Sequence, residues 1–294
     1  MESIRQLYKI GYGPSSSHTM GPRKAAQIFS ERNASRASRY TVTLYGALAA
    51  TGRGHLTDQA ILSVLTEHAP AEIVWKPETV LPFHTNGMKF ESFGADGTMI
   101  ESWTVYSVGG GDIVEEGQLR SSGPDIYPLH RIKDIQEYCE RTGKSYWEFV
   151  DENEGPQIWD YLAEVWQVMK EAVERGIEAE GVLPGGLGVR RKAVSYYVHA
   201  AGYADSLKSR GLVYAYALAV SEENAAGGKI VTAPTCGSCG IVPGVLYHLA
   251  TSKKFSDRRI LRALATAGLF GNVVTTNASV SCAELGCQGE VGVA

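Results

Sequence analysis

The pattern of apolar residues changes near residue 130, and this change constrains the fold more than any other feature of the chain. Before it, strand-like and helix-like segments alternate. Thr41–Tyr45 is rich in β-branched and aromatic residues, and Met88–Phe93 and Thr98–Val108 flank the turn signal Ala95-Asp96-Gly97. A helix is expected from Asp58. The first part of the chain is therefore predicted to be an α+β domain.

After residue 130 the helical period dominates. Ile158, Leu162, Val165, Met169 and Val173 recur at the spacing of one helix face. Further helices are predicted over 192–205, 211–225, 240–250 and 257–270, and no strand of any length is expected after Lys192. The sequence thus predicts an α+β N-terminal domain over residues 1–140, followed by an all-α C-terminal domain over residues 150–294.

Composition limits the classes of function. The 294 residues include 28 Lys and Arg and 32 Asp and Glu, so the net charge of −4 gives no electrostatic footprint for nucleic acid. The longest apolar run, 212–220, is too short to span a bilayer, and the N-terminus lacks the apolar core of a signal peptide. We therefore expect a cytoplasmic protein that binds neither nucleic acid nor membrane.

Four of the five cysteines lie in two close pairs near the end of the chain: Cys236 with Cys239, and Cys282 with Cys287. In a long chain without a secretion signal, such clustering favours a metal or redox site over a disulfide framework. Four thiolates suit zinc or an iron–sulfur cluster, and spacing alone leaves the metal open.

A second group of residues suits a small anion. Ser15, Ser16, Ser17, His18 and Thr19 place hydroxyl groups and an imidazole just before a predicted helix, whose N-terminus favours negative charge. The plain alternative is a helix cap with exposed serines.

Two further loops contain candidate site residues. The loop containing Thr235, Gly237 and Ser238 also precedes a helix. His55 lies on a glycine-flanked loop, where a lone histidine is more often a surface residue than a catalyst.

Taken together, the motifs resemble those of the iron–sulfur L-serine dehydratases, in the order expected for that family and from about residue 5 to the last residue. The motifs are Pro14–Thr19, Gly52–His55, Asn86–Met88, Tyr106–Gly111, Ala233–Thr235 and Cys287–Gly292.

The resemblance implies a β-type domain followed by an α-type domain, and a homodimer. It implies dehydration of L-serine to pyruvate and ammonia, a reaction of amino-acid catabolism that can feed gluconeogenesis. The expected cofactor is a [4Fe–4S] cluster that acts as a Lewis acid on the substrate hydroxyl, without pyridoxal phosphate.

Site residues follow from the same resemblance. Cys287 matches the first cluster ligand, and His55 is the candidate for proton transfer or for holding the substrate. The segments Ser15–Thr19 and Thr235–Ser238, which includes Gly237, are expected to bind substrate, and Asn277 is expected to line the same pocket. Cys236, Cys239 and Cys282 stand where many family members have other residues, so we expect them to pack within the protein.

The chain departs from the family pattern at its end. The other two cluster ligands are expected beyond Ala294, so we expect residues 1–294 alone to have little or no dehydratase activity. Two alternatives remain open. One is a serine- or hydroxy-acid-binding module without catalysis, and the other is a zinc protein that uses Cys236, Cys239, Cys282 and Cys287.

Overall fold

The computed structural model describes residues 1–118, 123–278, 289 and 291–294. The chain mixes helix and sheet and forms two compact units. One unit is Gly13–Ser121, and the other combines Met1–Tyr12 with Ser122–Ala294. Within the described ranges, none of the helices is long and apolar enough to cross a membrane.

The Gly13–Ser121 unit is built on a five-stranded sheet. The strands are β2 Arg39–Tyr45, β3 Ala71–Lys76, β4 Gly87–Phe93, β5 Met99–Gly109 and β6 Asp112–Glu115, and the helices are α1 Gly21–Asn33, α2 Gly46–Thr51 and α3 Thr57–Leu65. The strand order is β3-β2-β4-β5-β6. β2 and β3 are parallel and are joined through helices, whereas β2–β4, β4–β5 and β5–β6 are antiparallel.

The core of this unit forms where α1 and α3 lie against the sheet. Phe29 of α1 is fully buried and its ring lies 5.4 Å from that of Phe90 on β4. Val42 and Leu44 of β2 and Ile61 of α3 join the same apolar cluster. The predicted hairpin is confirmed, because β4 and β5 pair in antiparallel register.

The second unit is mostly helical. Its long helix α6 contains the predicted apolar stripe, and Ile158, Leu162, Val165, Met169 and Val173 are all buried. The helices are α4 Ile132–Thr142, α5 Tyr146–Glu154, α6 Gln157–Glu178, α7 Ala193–Ala201, α8 Asp205–Ala225, α9 Ile241–Ser252 and α10 Asp257–Asn277.

The expectation that no strand follows Lys192 is wrong. Lys229–Val231 forms β7, which pairs antiparallel with β1, Ile10–Tyr12. Each strand has three residues, too short for a periodic signal, and the two pair from positions far apart in the chain. Local sequence therefore carries almost no trace of this sheet.

Residues 1–12 are tied firmly to the helical unit, a placement that the sequence pattern did not predict. The Met1 amino group is buried, donates to the Tyr127 carbonyl at 3.0 Å and lies 3.3 Å from an Asp125 oxygen. Ile4 is fully buried, and Asn272 Nδ2 donates to the Glu2 carbonyl at 2.6 Å.

Small residues let α8 lie very close to α6 and α9. A Cβ atom added at Gly176 of α6 would meet the Ala219 carbonyl oxygen, and one added at Gly240 would meet the Ala217 carbonyl oxygen. Any larger side chain at these glycines would push the helices apart.

Candidate functional site

A π-helical turn, Ser16–Met20, leads directly into α1 and is capped by Ser15. Ser15 Oγ accepts from the His18 backbone N–H at 3.1 Å, and the Ser15 N–H donates to Thr19 Oγ1 at 3.2 Å. Among the described residues, the backbone N–H groups of Ser16 and Ser17 have no hydrogen-bond partner. The turn therefore offers two donors at the N-terminal end of a helix, which is a favourable place for a carboxylate.

His18 is held in this turn as a neutral imidazole. Its Nδ1 lies 2.9 Å from Ser17 Oγ. Its Nε2 is buried and has no hydrogen-bond partner within the described part of the chain. Burial, reinforced by the nearby His55 and partly opposed by a weak interaction with the Ala47 backbone, lowers the pKa of His18 to about 4. His18 is therefore uncharged at neutral pH and presents an unsatisfied ring nitrogen.

His55 lies beside His18, with 4.8 Å between the ring centroids. His55 Nδ1 is 2.9 Å from the Thr51 carbonyl oxygen, which can only accept, so Nδ1 carries the proton. In the neutral ring, Nε2 then holds the lone pair. The geometry thus gives His55 the tautomer that a general base needs.

The His55 loop is fixed against the turn by two threonine hydroxyl groups. Thr19 Oγ1 donates to the His55 carbonyl at 2.7 Å, and Thr57 Oγ1 donates to the His18 carbonyl. Leu56, immediately after His55, has a φ of 56°, a left-handed conformation that is costly for leucine. Such strain is typical of functional loops whose surroundings hold them in place.

Asn86 and Ser107 complete the cluster, although they were not among the predicted site residues. Asn86 Nδ2 donates to the Ser107 carbonyl at 3.2 Å. Asn86 is 8% exposed and Ser107 is fully buried, yet Asn86 Oδ1 and Ser107 Oγ have no partner among the described residues. A Cβ atom at Gly21 would meet Ser107 Oγ, so Ser107 lies against the start of α1. Their place in two of the family-like motifs was the only available sequence signal.

The glycine run Gly109–Gly111 borders the same turn. All three residues have positive φ, and a Cβ atom at Gly111 would lie 3.4 Å from Met20 Cβ. The run therefore lets the end of β5 approach the turn closely. Four of the family-like motifs thus converge within the Gly13–Ser121 unit.

The turn Thr235–Ser238 of the helical unit is closed by its own hydrogen bonds. Ser238 Oγ donates to the Ala233 carbonyl at 2.9 Å and lies 3.3 Å from Thr235 Oγ1. Thr235 is 5% exposed and Ser238 1% exposed, whereas Gly237 is exposed. In this conformation the two hydroxyl groups stabilise the turn that leads into α9.

Cys236 and Cys239 are both buried in this turn. Burial raises the pKa of the Cys239 thiol to about 12, so it is protonated at neutral pH. Cys282 and Cys287, including the predicted cluster ligand, lie outside the described residues. Within the described residues, no group of three or more His, Cys, Asp or Glu side chains could hold a metal ion. The described part of the chain therefore supplies no complete ligand set for zinc or a cluster.

Asn277 lies near the C-terminal end of α10 in the helical unit. Its Nδ2 donates to the His130 carbonyl and to the Val273 carbonyl, each at 2.7 Å. The residue is exposed. Of the predicted site residues, the structure brings Ser15–Thr19 and His55 together, and it places Thr235, Gly237, Ser238 and Asn277 in the other unit.

Comparison with known proteins identifies the family. A family model described as serine dehydratase alpha chain matches residues 30–294. The chain belongs to this family. Among curated relatives of the serine dehydratase alpha chain family, L-serine dehydratase 2 of Escherichia coli strain K12 is 37% identical over all of this chain and 76% of its own length. The L-serine dehydratase of Streptomyces coelicolor is 36% identical, over 99% of this chain and 76% of its own length. The L-serine dehydratase of Helicobacter pylori is 32% identical, over 99% of this chain and 76% of its own length.

Proposed function

We propose that the protein is an L-serine dehydratase, a lyase that converts L-serine to pyruvate and ammonia. The observation that carries the proposal is that His55, with its lone pair on Nε2, lies beside the Ser15–Thr19 turn, whose Ser16 and Ser17 N–H groups are available as donors. His55 and the turn occur together in a chain that resembles L-serine dehydratases over 99–100% of its length.

The turn suits the substrate carboxylate. The N–H groups of Ser16 and Ser17 are available donors, and the N-terminal end of α1 adds a favourable field. Hydroxyl groups of Ser15, Ser17 and Thr19 surround these donors and shape the turn. L-Serine bound here by its carboxylate would have its Cα close to the two histidines.

His55 is proposed to take the Cα proton on Nε2. The Thr51 carbonyl fixes the tautomer and would stabilise the imidazolium that forms. His18 stays neutral because it is buried, so it does not compete as a second positive charge. Loss of the Cα proton and of the β-hydroxyl as water leaves aminoacrylate, which tautomerises to an imine. Addition of water to the imine releases ammonia and pyruvate.

The proposed cofactor is a [4Fe–4S] cluster with Cys287 as one ligand and no role for pyridoxal phosphate. When bound, such a cluster supplies a Lewis acid that makes hydroxide a better leaving group.

The remaining assignments are proposed on the family resemblance. Thr235, Gly237, Ser238 and Asn277 are proposed to take part in substrate binding, Thr235 and Ser238 by holding the shape of their turn. The first part of the chain corresponds to a β-type domain and the later part to an α-type domain. The enzyme is proposed to act as a homodimer in the cytoplasm, in serine catabolism.

Pyruvate formation tests the proposed function, in a form of the protein that is extended past Ala294 to supply the two further cluster ligands that the family resemblance implies, and that is purified without oxygen and loaded with iron and sulfide. We expect pyruvate from L-serine and not from D-serine, in proportion to bound iron and acid-labile sulfide. Saturable L-serine binding without pyruvate from cluster-loaded protein would contradict the proposal and favour a non-catalytic binding module. Stoichiometric zinc that is lost in the Cys236→Ser variant would favour the zinc alternative.

A further inference from the structure

Two adjoining surface cavities, both open to solvent, lie on the helical unit where α5 faces α10. Their volumes are about 530 and about 430 Å³, within the size range of small-molecule sites. Both are lined by Trp147 and Arg262. The larger cavity adds Arg259 and Phe270, and the smaller adds Trp159 and Arg258.

Aromatic rings form the walls of these cavities. Trp147 and Trp159 pack edge to face with 6.0 Å between ring centroids. The Arg262 guanidinium carbon lies 3.9 Å from the centroid of the Trp147 ring, a close cation–π contact. Because Trp159 Nε1 donates to Asp151 at 2.6 Å, the Trp159 ring is held in one orientation. A planar ligand would meet preformed aromatic surfaces.

Three arginines border the same cavities. In the part of the chain that the structure describes, Arg258, Arg259 and Arg262 form no ion pair with a carboxylate. The nearby Glu148 carboxylate is engaged mainly by Ser145, whose Oγ lies at 2.6 Å and whose N–H lies at 2.8 Å, and the charge of Arg262 also helps to lower the pKa of Glu148. Arg258 and Arg259 lie in the first turn of α10, where positive charge opposes the helix dipole, so helix stability does not account for these two arginines. Their charges suit an external anion.

We propose that these cavities form a binding site for a nucleoside monophosphate. The base would stack on the tryptophan wall, a contact that any base can make. Its phosphate, a dianion with several acceptor oxygens, matches several guanidinium groups better than a single carboxylate would. The site lies in the helical unit and shares no residue with the Ser15–Thr19 and His55 cluster, so the inference is independent of the proposed dehydratase function.

Isothermal titration calorimetry of the full chain with AMP tests the proposal, with adenosine and inorganic phosphate as separate ligands. We expect AMP to bind with one site per chain, and adenosine and phosphate each to bind at least about tenfold more weakly. Arg262→Ala should weaken AMP binding by at least about tenfold, because it removes a charge and the stack on Trp147. Arg258→Ala should have a smaller effect.

Arg141→Ala is the matched control. Arg141 is exposed on the same unit and also lies over an aromatic ring, that of Tyr138 at 5.8 Å, but it does not line the cavities. Its AMP affinity should equal that of the unaltered chain.

Three results would overturn the proposal. The first is absence of AMP binding at about 5 mM. The second is equal affinity for AMP and for phosphate alone. The third is a folded Arg262→Ala variant with unchanged AMP affinity. Altered sedimentation of that variant would make the cavities a contact between protein chains.

Discussion

Two hydroxyl-rich turns precede helices in this protein, and they differ in how their polar groups are satisfied. The Ser15–Thr19 turn leaves the N–H groups of Ser16 and Ser17 and the Nε2 atom of His18 without partners among the described residues. The Thr235–Ser238 turn uses its hydroxyl groups internally, with Ser238 Oγ bound to the Ala233 carbonyl, and among the described residues only the backbone N–H groups of Gly237 and Ser238 in it are without partners.

This difference separates two roles that look alike in sequence. Buried polar groups normally find partners, because leaving one unsatisfied costs about 1–3 kcal/mol. The buried atoms His18 Nε2, Asn86 Oδ1 and Ser107 Oγ, which have no partner among the described residues, indicate a site around the first turn that a ligand completes. The hydroxyl groups of the second turn are engaged within the turn, so we expect their main contribution to be stability. The comparison predicts that substitutions in the first region affect mainly catalysis and those in the second mainly folding.

The largest effect is expected from His55→Gln. Loss of the proposed base should lower the rate of pyruvate formation by the cluster-loaded enzyme by about 10²–10⁴-fold. The midpoint of thermal unfolding should change little, because His55 is only partly buried. The control is His68→Gln, at an exposed histidine of the same unit. A His55→Gln enzyme with more than about half of the normal rate would remove His55 from the mechanism.

A smaller effect, on stability, is expected from Ser238→Ala. The change removes the bond to the Ala233 carbonyl and should lower the free energy of unfolding by roughly 1–3 kcal/mol. Urea denaturation measures the difference, and Ser252→Ala, at the exposed end of α9, is the control. If Ser238→Ala kept full stability and lost only affinity for L-serine, the contrast between the two turns would fail.

The pH dependence of stability tests the burial of His18. Its pKa is about 4 in the folded chain and near 6.5 when exposed, so the unfolded chain binds the proton more readily. The stabilisation is complete above about pH 6.5 and is lost as the pH falls towards 4. Relative to His18→Gln, the unaltered chain should lose roughly 1–2 kcal/mol over that interval, after allowance for solvent screening. Parallel stability curves for the two proteins would contradict a buried neutral His18.

The smallest effect is expected from Ser107→Ala. Ser107 and Ser92 are both fully buried in neighbouring strands. Ser92 Oγ donates to Asn33 Oδ1 at 3.0 Å, whereas Ser107 Oγ has no partner among the residues that the structure describes. Ser107→Ala should leave the free energy of unfolding within about 0.5 kcal/mol or raise it, whereas Ser92→Ala should lower it by about 1–3 kcal/mol. Equal losses in the two variants, measured by urea denaturation, would show that Ser107 is satisfied in the free protein.

The sequence predicted elements that depend on local pattern. The β4–β5 hairpin has a turn signal between two strand-like segments, and α6 has an apolar stripe long enough to identify a helix. Pairing of β1 with β7 and burial of Met1 depend on contacts between distant parts of the chain, so local periodicity could not indicate them.

In the candidate site too, some residues could be recognised from local sequence and others only from contacts between distant parts of the chain. Ser15–Thr19 and His55 stand out by residue type and by the family-like motifs. Asn86 and Ser107 matter because their polar atoms are buried without partners, and burial depends on strand pairing and on the close approach of α1. Only the folded structure distinguishes the open turn from the closed one.

The most direct test is a titration of L-serine into protein with ¹⁵N-labelled histidine rings, followed by NMR. The account predicts saturable shifts of the His18 and His55 ring nitrogens with L-serine and none with D-serine. His248 serves as the internal reference, because it is buried in the helical unit with Nε2 bound 2.8 Å from Ser209 Oγ. Unchanged His18 and His55 signals at saturating L-serine would contradict the assignment of the substrate site to this cluster.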